Sequence, residues 1–143
     1  MNYVIGIDFG SESGRAVLVD SENGDIIKVA EMTYPNGVLT KSLNGKPIKA
    51  NMVLQNPNDY VEVLNATIKT LLKETKVDPN NIKGMGVAFT SCTCLPVDQQ
   101  LTPLCNKEMY VDQPHAFAKL WKSHSAEKEA QFITEKLADH PYL

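Results

Sequence analysis

Near its N-terminus the chain reads IGIDFGSESGRAVLVD, Ile5 to Asp20, with a carboxylate at Asp8, a guanidinium at Arg15 and a short run of Gly, Ser and Glu between them. Those residue types at that spacing suit a phosphate. Gly10 and Gly14 let the backbone approach a ligand closely and visit positive φ. Ser11 and Ser13 add hydroxyl donors, and successive N–H groups in a tight turn form an anion-binding nest. Arg15 supplies a fixed fork matched to phosphate oxygens, and Asp8 can hold a hydrated magnesium ion that bridges them. Charge-assisted hydrogen bonds contribute about 1.5–3 kcal/mol each, so a few of them hold a polyphosphate. The same composition also fits an ordinary Gly/Ser turn with Asp8 and Arg15 paired across a hairpin. A Walker-type G-x-x-x-x-G-K-[ST] loop is absent. Composition and spacing therefore stop at a candidate phosphate site.

The elements that must position these residues follow from hydrophobic periodicity. Residues 3–9 and 15–20 are nearly continuous apolar runs rich in Val and Ile, which predicts strands covered on both faces. SENGD, with Asn23-Gly24, is a turn, and IIKVAEMTY reads as a third strand, so the opening is an antiparallel meander. Residues 35–56 are punctuated by Asn, Gly, Lys and Pro and read as a surface excursion with a short strand near Ile48. NPNDYVEVLNATIKTLLKE predicts a helix, capped by Asn56 or Asn58 and with Pro57 in its first turn. Val61, Leu64, Ile68, Leu71 and Leu72 form its apolar face. IKGMGVAFT, Ile82–Thr90, predicts a fourth strand and CLPVDQQLTPL a short hairpin. PHAFAKLWKSH reads as helical, and SAEKEAQFITEKLA as a second helical piece with Ser125 as its N-cap. The order β-β-β-α-β followed by helices predicts a mixed α/β domain.

Bulk properties exclude several classes. A length of 143 residues suits one domain, and 43% hydrophobic with 22% charged residues is the balance of a soluble globular chain. The formal charge of −3 gives no pull toward nucleic acid or an anionic membrane. No apolar stretch approaches the roughly 20 residues of a membrane helix, and MNYVIGIDFG lacks the basic start of a secretory leader. The expectation is a cytoplasmic protein with no nucleic-acid or membrane partner. Cys92 and Cys94 are spaced C-x-C, and with Cys105 they stand apart from His115, His124 and His140, which argues against structural zinc.

GIDFGSESGRAVLVD resembles the first phosphate-binding hairpin of the FGGY sugar kinases of the actin-like ATPase superfamily. Their pattern is a strand, D-x-G-[ST]-x-[ST]-x-R and a second strand, which Asp8, Gly10, Ser11, Ser13 and Arg15 fit. GVAFTSCTCLPVD followed by FAKLWKSHSA resembles the L-ribulokinase branch, where a strand ends in T-x-[CS]-T and L-W-K-x-H comes later. The likeness runs from Tyr3 to about Leu137.

It implies an actin-like (ribonuclease H-like) α/β domain, its mixed sheet built from an antiparallel three-strand meander and a fourth strand, with helices. Residues 3–34 would be the phosphate-binding meander, 57–76 a helix, 82–98 a strand and sugar-site edge, and 114–138 helices. Together 1–143 would be the N-terminal part of the first kinase domain, with the C-terminal domain absent. ATP and Mg2+ are the implied cofactors, Asp8 organising the metal while Gly10, Ser11, Glu12, Ser13 and Arg15 line the phosphates. Ser91 and Cys92 would border the sugar, and Trp121 and Lys122 would lie on a helix flanking the cleft. For Trp121 a core anchor, and for Lys122 a solvated helix charge, stand as alternatives. The general base is expected beyond Leu143, since Asp98, Asp112 and Asp139 do not occur in its context. The implied activity is ATP-dependent phosphorylation of a ketopentose by the full-length enzyme, the present chain being inactive alone. Many relatives carry Asp where this chain has Ala88 and Ser123, which leaves xylulose or another pentulose open beside ribulose. The alternative class is a stand-alone, non-catalytic nucleotide-binding or interaction module, self-associating through the surface left bare.

Overall fold

In chain order the strands are β1 (Tyr3–Phe9), β2 (Ser13–Asp20), β3 (Ile26–Thr33), β4 (Ser42–Leu43), β5 (Lys46–Pro47), β6 (Leu54–Gln55), β7 (Ile82–Phe89) and β8 (Ala118–Lys119), and the helices are α1 (Pro57–Thr75) and α2 (Glu127–Lys136). The structure is a computed structural model that describes residues 1–138 and 140; Asp139 and residues 141–143 lie outside the described residues. The main sheet has the order β3-β2-β1-β7. The first three strands form the expected antiparallel meander, and β7 joins β1 in parallel after the α1 crossover. Among the described residues no helix is long and apolar enough to cross a membrane.

Helix α1 begins as its sequence directs. The Asn56 side chain accepts from the Asn58 N–H, Pro57 occupies the first turn, and Lys76 closes the far end in the left-handed conformation at φ 55°. Its buried face is largely the one expected: Leu71 is buried and Leu64 and Ile68 pack partly buried against the core, but Val63 and Thr67 join them while Val61 is 59% exposed. Val63 meets a hollow at Gly14. A Cβ there would stand 2.6 Å from Val63 Cγ1 and 3.3 Å from Phe9 Cδ1, so Val63 fills the space that glycine leaves. Thr67 fits this apolar face because its hydroxyl donates to the Val63 carbonyl at 2.8 Å. Around the contact pack Ile5, Ile7, Phe9, Ala16, Leu18 and Ala30.

The helix covers one face of the sheet only. Along β1 and β2, fully buried residues alternate with partly exposed ones, and along β7 Met85, Val87 and Phe89 are exposed. The expectation of strands covered on both faces fails among the described residues. A continuous apolar run records what a strand tolerates, whereas covering it requires a second layer.

Residues 35–56 do more than wander over the surface. They form the β4–β5 hairpin and β6, and Leu43 and Leu54 build a second core with Cys105, Ala116 and Phe117. The expected helices over 114–138 are also corrected. Pro114–Ala116 is a single 3-10 turn, β8 follows, Trp121 and Lys122 sit in the turn after it, and only Glu127–Lys136 is helical. Backbone pairing overrides local propensity here: Gln55 pairs with Ala118 and Leu54 with Lys119, while the Leu120 N–H donates to the Val53 carbonyl. Ser125 is not the cap of α2. That position is Ala126, and the Ser125 hydroxyl lies 3.3 Å from the Ser123 hydroxyl.

Because Val63 is itself buried, Gly14→Ala is expected to cost about 1–3 kcal/mol through overpacking. This would appear as a lower denaturant midpoint at unchanged m-value. The same change made in a Val63→Ala background is expected to cost much less.

Candidate functional site

The parallel strands β1 and β7 end side by side, Phe9 opposite Phe89. Thr90 ties them, its N–H and its hydroxyl both donating to the Phe9 carbonyl at 3.0 and 2.8 Å. The Gly10–Ser13 turn and the exposed Ser91–Cys92 turn both follow from this edge. From the turn after β8, Trp121 Nε1 reaches Ser11 Oγ at 3.4 Å. Carboxyl ends of parallel strands are where open α/β sheets receive ligands.

The turn itself is oriented by three anchors on its carbonyls. Gly10 accepts from the Tyr34 hydroxyl at 3.0 Å, Ser11 from Gln55 Nε2 at 2.7 Å, and Glu12 from the Tyr34 N–H at 3.0 Å. These peptides are trans, so each following N–H points away from its anchor. The Ser11 and Glu12 N–H groups have no hydrogen-bond partner among the described residues. Two adjacent, outward amides of this kind form an anion nest. Gly10 and Gly14 serve this differently from expectation, since neither has positive φ. Gly10 closes the turn by donating to the Ser13 carbonyl at 2.9 Å, and Gly14 makes room for Val63.

On the sheet face opposite α1, Asp8 stands in register with Arg15, and Arg15 with Glu31. Arg15 Nη2 donates to Asp8 Oδ2 at 3.0 Å, with side chains 53% and 50% exposed. The ion pair weighed as the ordinary alternative is therefore present. Exposed pairs of this kind contribute at most about 1 kcal/mol, so both charges remain available to a ligand. Ser13 Oγ donates to Glu31 Oε1 at 2.6 Å, and Glu12 is exposed. A half-exposed carboxylate at Asp8 fits magnesium, which keeps several waters and takes one or two carboxylates. Among the described residues there is no cluster of three or more His, Cys, Asp or Glu able to hold a metal.

The sugar-side candidates are less closely gathered. Ser91 and Cys92 are exposed, Cys92 at φ 61°, and Lys122 makes no ion pair among the described residues. Trp121 is 60% exposed and is no core anchor. The buried hydroxyl of Thr93 has no hydrogen-bond partner among the described residues.

The residues that set the turn escaped the sequence reading. Gln55 is 1% exposed, and its Oε1 accepts from the Tyr60 hydroxyl at 2.6 Å. Asp59, also buried, accepts from Asn36 N and Nδ2 at 2.9 and 2.6 Å. Phe9, Tyr34, Tyr60 and Phe89 pack against one another with centroids 4.8–5.8 Å apart. Burial, then the fields of Asp8 and Asp59, push the Tyr34 hydroxyl up to about 12. Burial, then Tyr34 and Asp59, raise Tyr60 further. The available signal was a Gln-Asn-Pro run entering a helix, and nothing in it separates a buried glutamine from a solvated one. A separate cavity of about 350 Å³, lined by Asn36, Asn44, Asn56, Asn58, Asn106 and Phe117 among others, contains none of the expected site residues.

The folded protein keeps the Tyr34 proton that an unfolded chain releases near 10.0. This contribution to stability is full below pH 10 and lost as pH rises toward about 12. Tyr34→Phe is expected to flatten that alkaline decline, read as denaturant midpoint against pH.

Residues 3–141 match the N-terminal domain of the FGGY family of carbohydrate kinases. Over 135 residues the chain is 44% identical to Ribulokinase 1 of Staphylococcus saprophyticus subsp. saprophyticus, covering 94% of this chain and 25% of that protein. Among solved structures, a ligand-bound xylulose kinase from Lactobacillus acidophilus aligns with a TM-score of 0.70 at 17% identity, over 96% of this chain and 23% of its own. A gluconate kinase from the same organism aligns at 0.70 and 17%, over 95% and 23%. The fold is thus the actin-like α/β fold of these sugar kinases, and the chain spans about a quarter of the length of the curated relatives it matches.

Proposed function

The chain belongs to the FGGY family of carbohydrate kinases, and from that premise we propose that it carries the ATP-phosphate site and part of the sugar site of an enzyme phosphorylating a ketopentose. The observation that carries the proposal is the Gly10–Ser13 turn, whose Ser11 and Glu12 amides have no partner among the described residues, with the half-exposed Arg15 two residues beyond it. In this reading the two amides, the Ser11 and Ser13 hydroxyls and Arg15 receive phosphate oxygens, and Asp8 holds magnesium through its water shell. Bound magnesium neutralises charge on the phosphates. Arg15 and Asp8 neutralise each other in this structure; with nucleotide present, each gives up that partner, Arg15 for a phosphate oxygen and Asp8 for the cation's hydration shell.

Ser91, Cys92 and Lys122 are proposed to border the sugar, with the exposed Trp121 ring beside them. The ketopentose is favoured because the 44% likeness is to a ribulokinase, whereas the xylulose and gluconate kinases agree at fold level only. Phosphoryl transfer needs both reactants positioned together, and the relatives are about four times longer. This chain by itself is therefore proposed to bind nucleotide without turnover.

Titration of the purified chain with Mg·ATP tests the phosphate site. Arg15→Ala is expected to weaken binding roughly 10- to 150-fold, the worth of one charge-assisted hydrogen bond. Asp8→Asn should weaken Mg·ATP more than metal-free ATP. Thermal midpoints should hardly move, because the pair is half exposed. Undiminished affinity in Arg15→Ala would reject the assignment. Trp121 is the lone tryptophan, so its fluorescence reports the sugar side. Ribulose or xylulose should change it while gluconate does not, and equal responses to all three would remove the ketopentose preference.

A further inference from the structure

We infer that Gln55 is a positioning residue that sets the outward amides of the phosphate turn by holding the Ser11 carbonyl; its value for nucleotide binding rests on the reading above. Gln55 ends β6, one residue before the cap of α1, and its side chain is fully buried. A buried amide is tolerated only when both of its ends are bonded. Here both are, and chemistry dictates which way round. The Ser11 carbonyl only accepts, so the Gln55 NH2 must face it at 2.7 Å. That leaves Oε1 toward Tyr60, whose hydroxyl donates at 2.6 Å.

The consequence passes through one peptide plane. With the Ser11 carbonyl drawn toward Gln55, the Glu12 N–H of the same trans peptide faces the opposite way. Tyr34 does the equivalent for the Gly10 carbonyl and the Ser11 N–H. Gln55 adds a link that Tyr34 lacks. Its backbone pairs with Ala118, and two residues beyond β8 Trp121 meets the Ser11 hydroxyl. One glutamine thus ties the turn at once to the helix through Tyr60 and to the strand that delivers Trp121.

Gln55→Met keeps the length and removes both hydrogen bonds. In the 15N-labelled, ligand-free chain it is expected to displace the Ser11 and Glu12 amide resonances and their couplings while leaving the β1–β3 ladder in place. It should also weaken Mg·ATP binding about tenfold, the loss of one or two neutral hydrogen bonds. Leu71→Ala, buried in α1 and away from the turn, controls for stability. It should lower the melting temperature at least as much with affinity unchanged, which is all that a purely structural role predicts for Gln55→Met. If Gln55→Met does not fold, Tyr60→Phe keeps the ring, frees Oε1, and should shift the same two amides by less. Parental Ser11 and Glu12 signals together with parental affinity in Gln55→Met would overturn the inference. Displaced signals in a chain whose parent ignores Mg·ATP would uphold the positioning role and sink the nucleotide reading instead.

Discussion

Val63 occupies the space that any side chain at position 14 would need, and the depth of that contact governs how closely α1 lies on the meander. Everything on the first turns of α1 inherits its placement from it: Tyr60 one turn earlier, Asp59 beside it, and the Asn56 cap with Gln55 just before. A glycine that resembles part of a phosphate motif therefore acts first as a packing device. Its influence on the turn is indirect, carried by a helix that has been allowed to come near enough for its side chains to reach the Gly10–Ser13 backbone.

From that closeness follows a division between the two sides of the sheet. On the helix side, buried polar groups are spent on backbone carbonyls: Tyr34 on Gly10 and Gln55 on Ser11. On the open side stand Asp8, Arg15 and Glu31 in cross-strand register, while the trans peptides turn the corresponding N–H groups away from their anchors. Low polarity around the anchors favours the neutral tyrosines that donation requires, and buried Asp59 reinforces it by raising both hydroxyls. The anchors stay protonated across ordinary pH, so the turn keeps its orientation while the exposed charges remain free to exchange partners.

How much of this was legible in the sequence depends on the range of the interaction. The meander, its Asn-Gly turn, the Asn56 cap and the fourth strand rest on local signals of period and capping, and they appear where expected. Asp8 and Arg15 are opposite in the register because a tight turn fixes it. What failed was non-local. PHAFAKLWKSH has helical spacing, yet its backbone is taken by β6 more than sixty residues earlier, and Trp121 moves from a helix to an exposed turn. Along α1 the expected Leu64, Ile68 and Leu71 do face the core, but Val63, fitted to a hollow on another strand, takes the place expected of Val61. Gln55 and Tyr60 were invisible for the same reason, since a glutamine becomes an anchor only when tertiary packing buries it.

The distribution of these features also bears on where sugar selectivity resides. Under the proposed function, the carbonyl anchors and outward amides read a phosphate, and such contacts carry no information about the sugar. Kinases named for xylulose and for gluconate align over nearly the whole chain at 17% identity, so the framework persists while the side chains around it vary. Under the proposed function, discrimination falls to the groups proposed beyond the turn: Ser91 and Cys92 after β7, and Lys122 beside the exposed Trp121 ring. Trp121 touches Ser11, so under the proposed function the ring on the sugar side is also joined to the phosphate turn, and the two halves of recognition share one support.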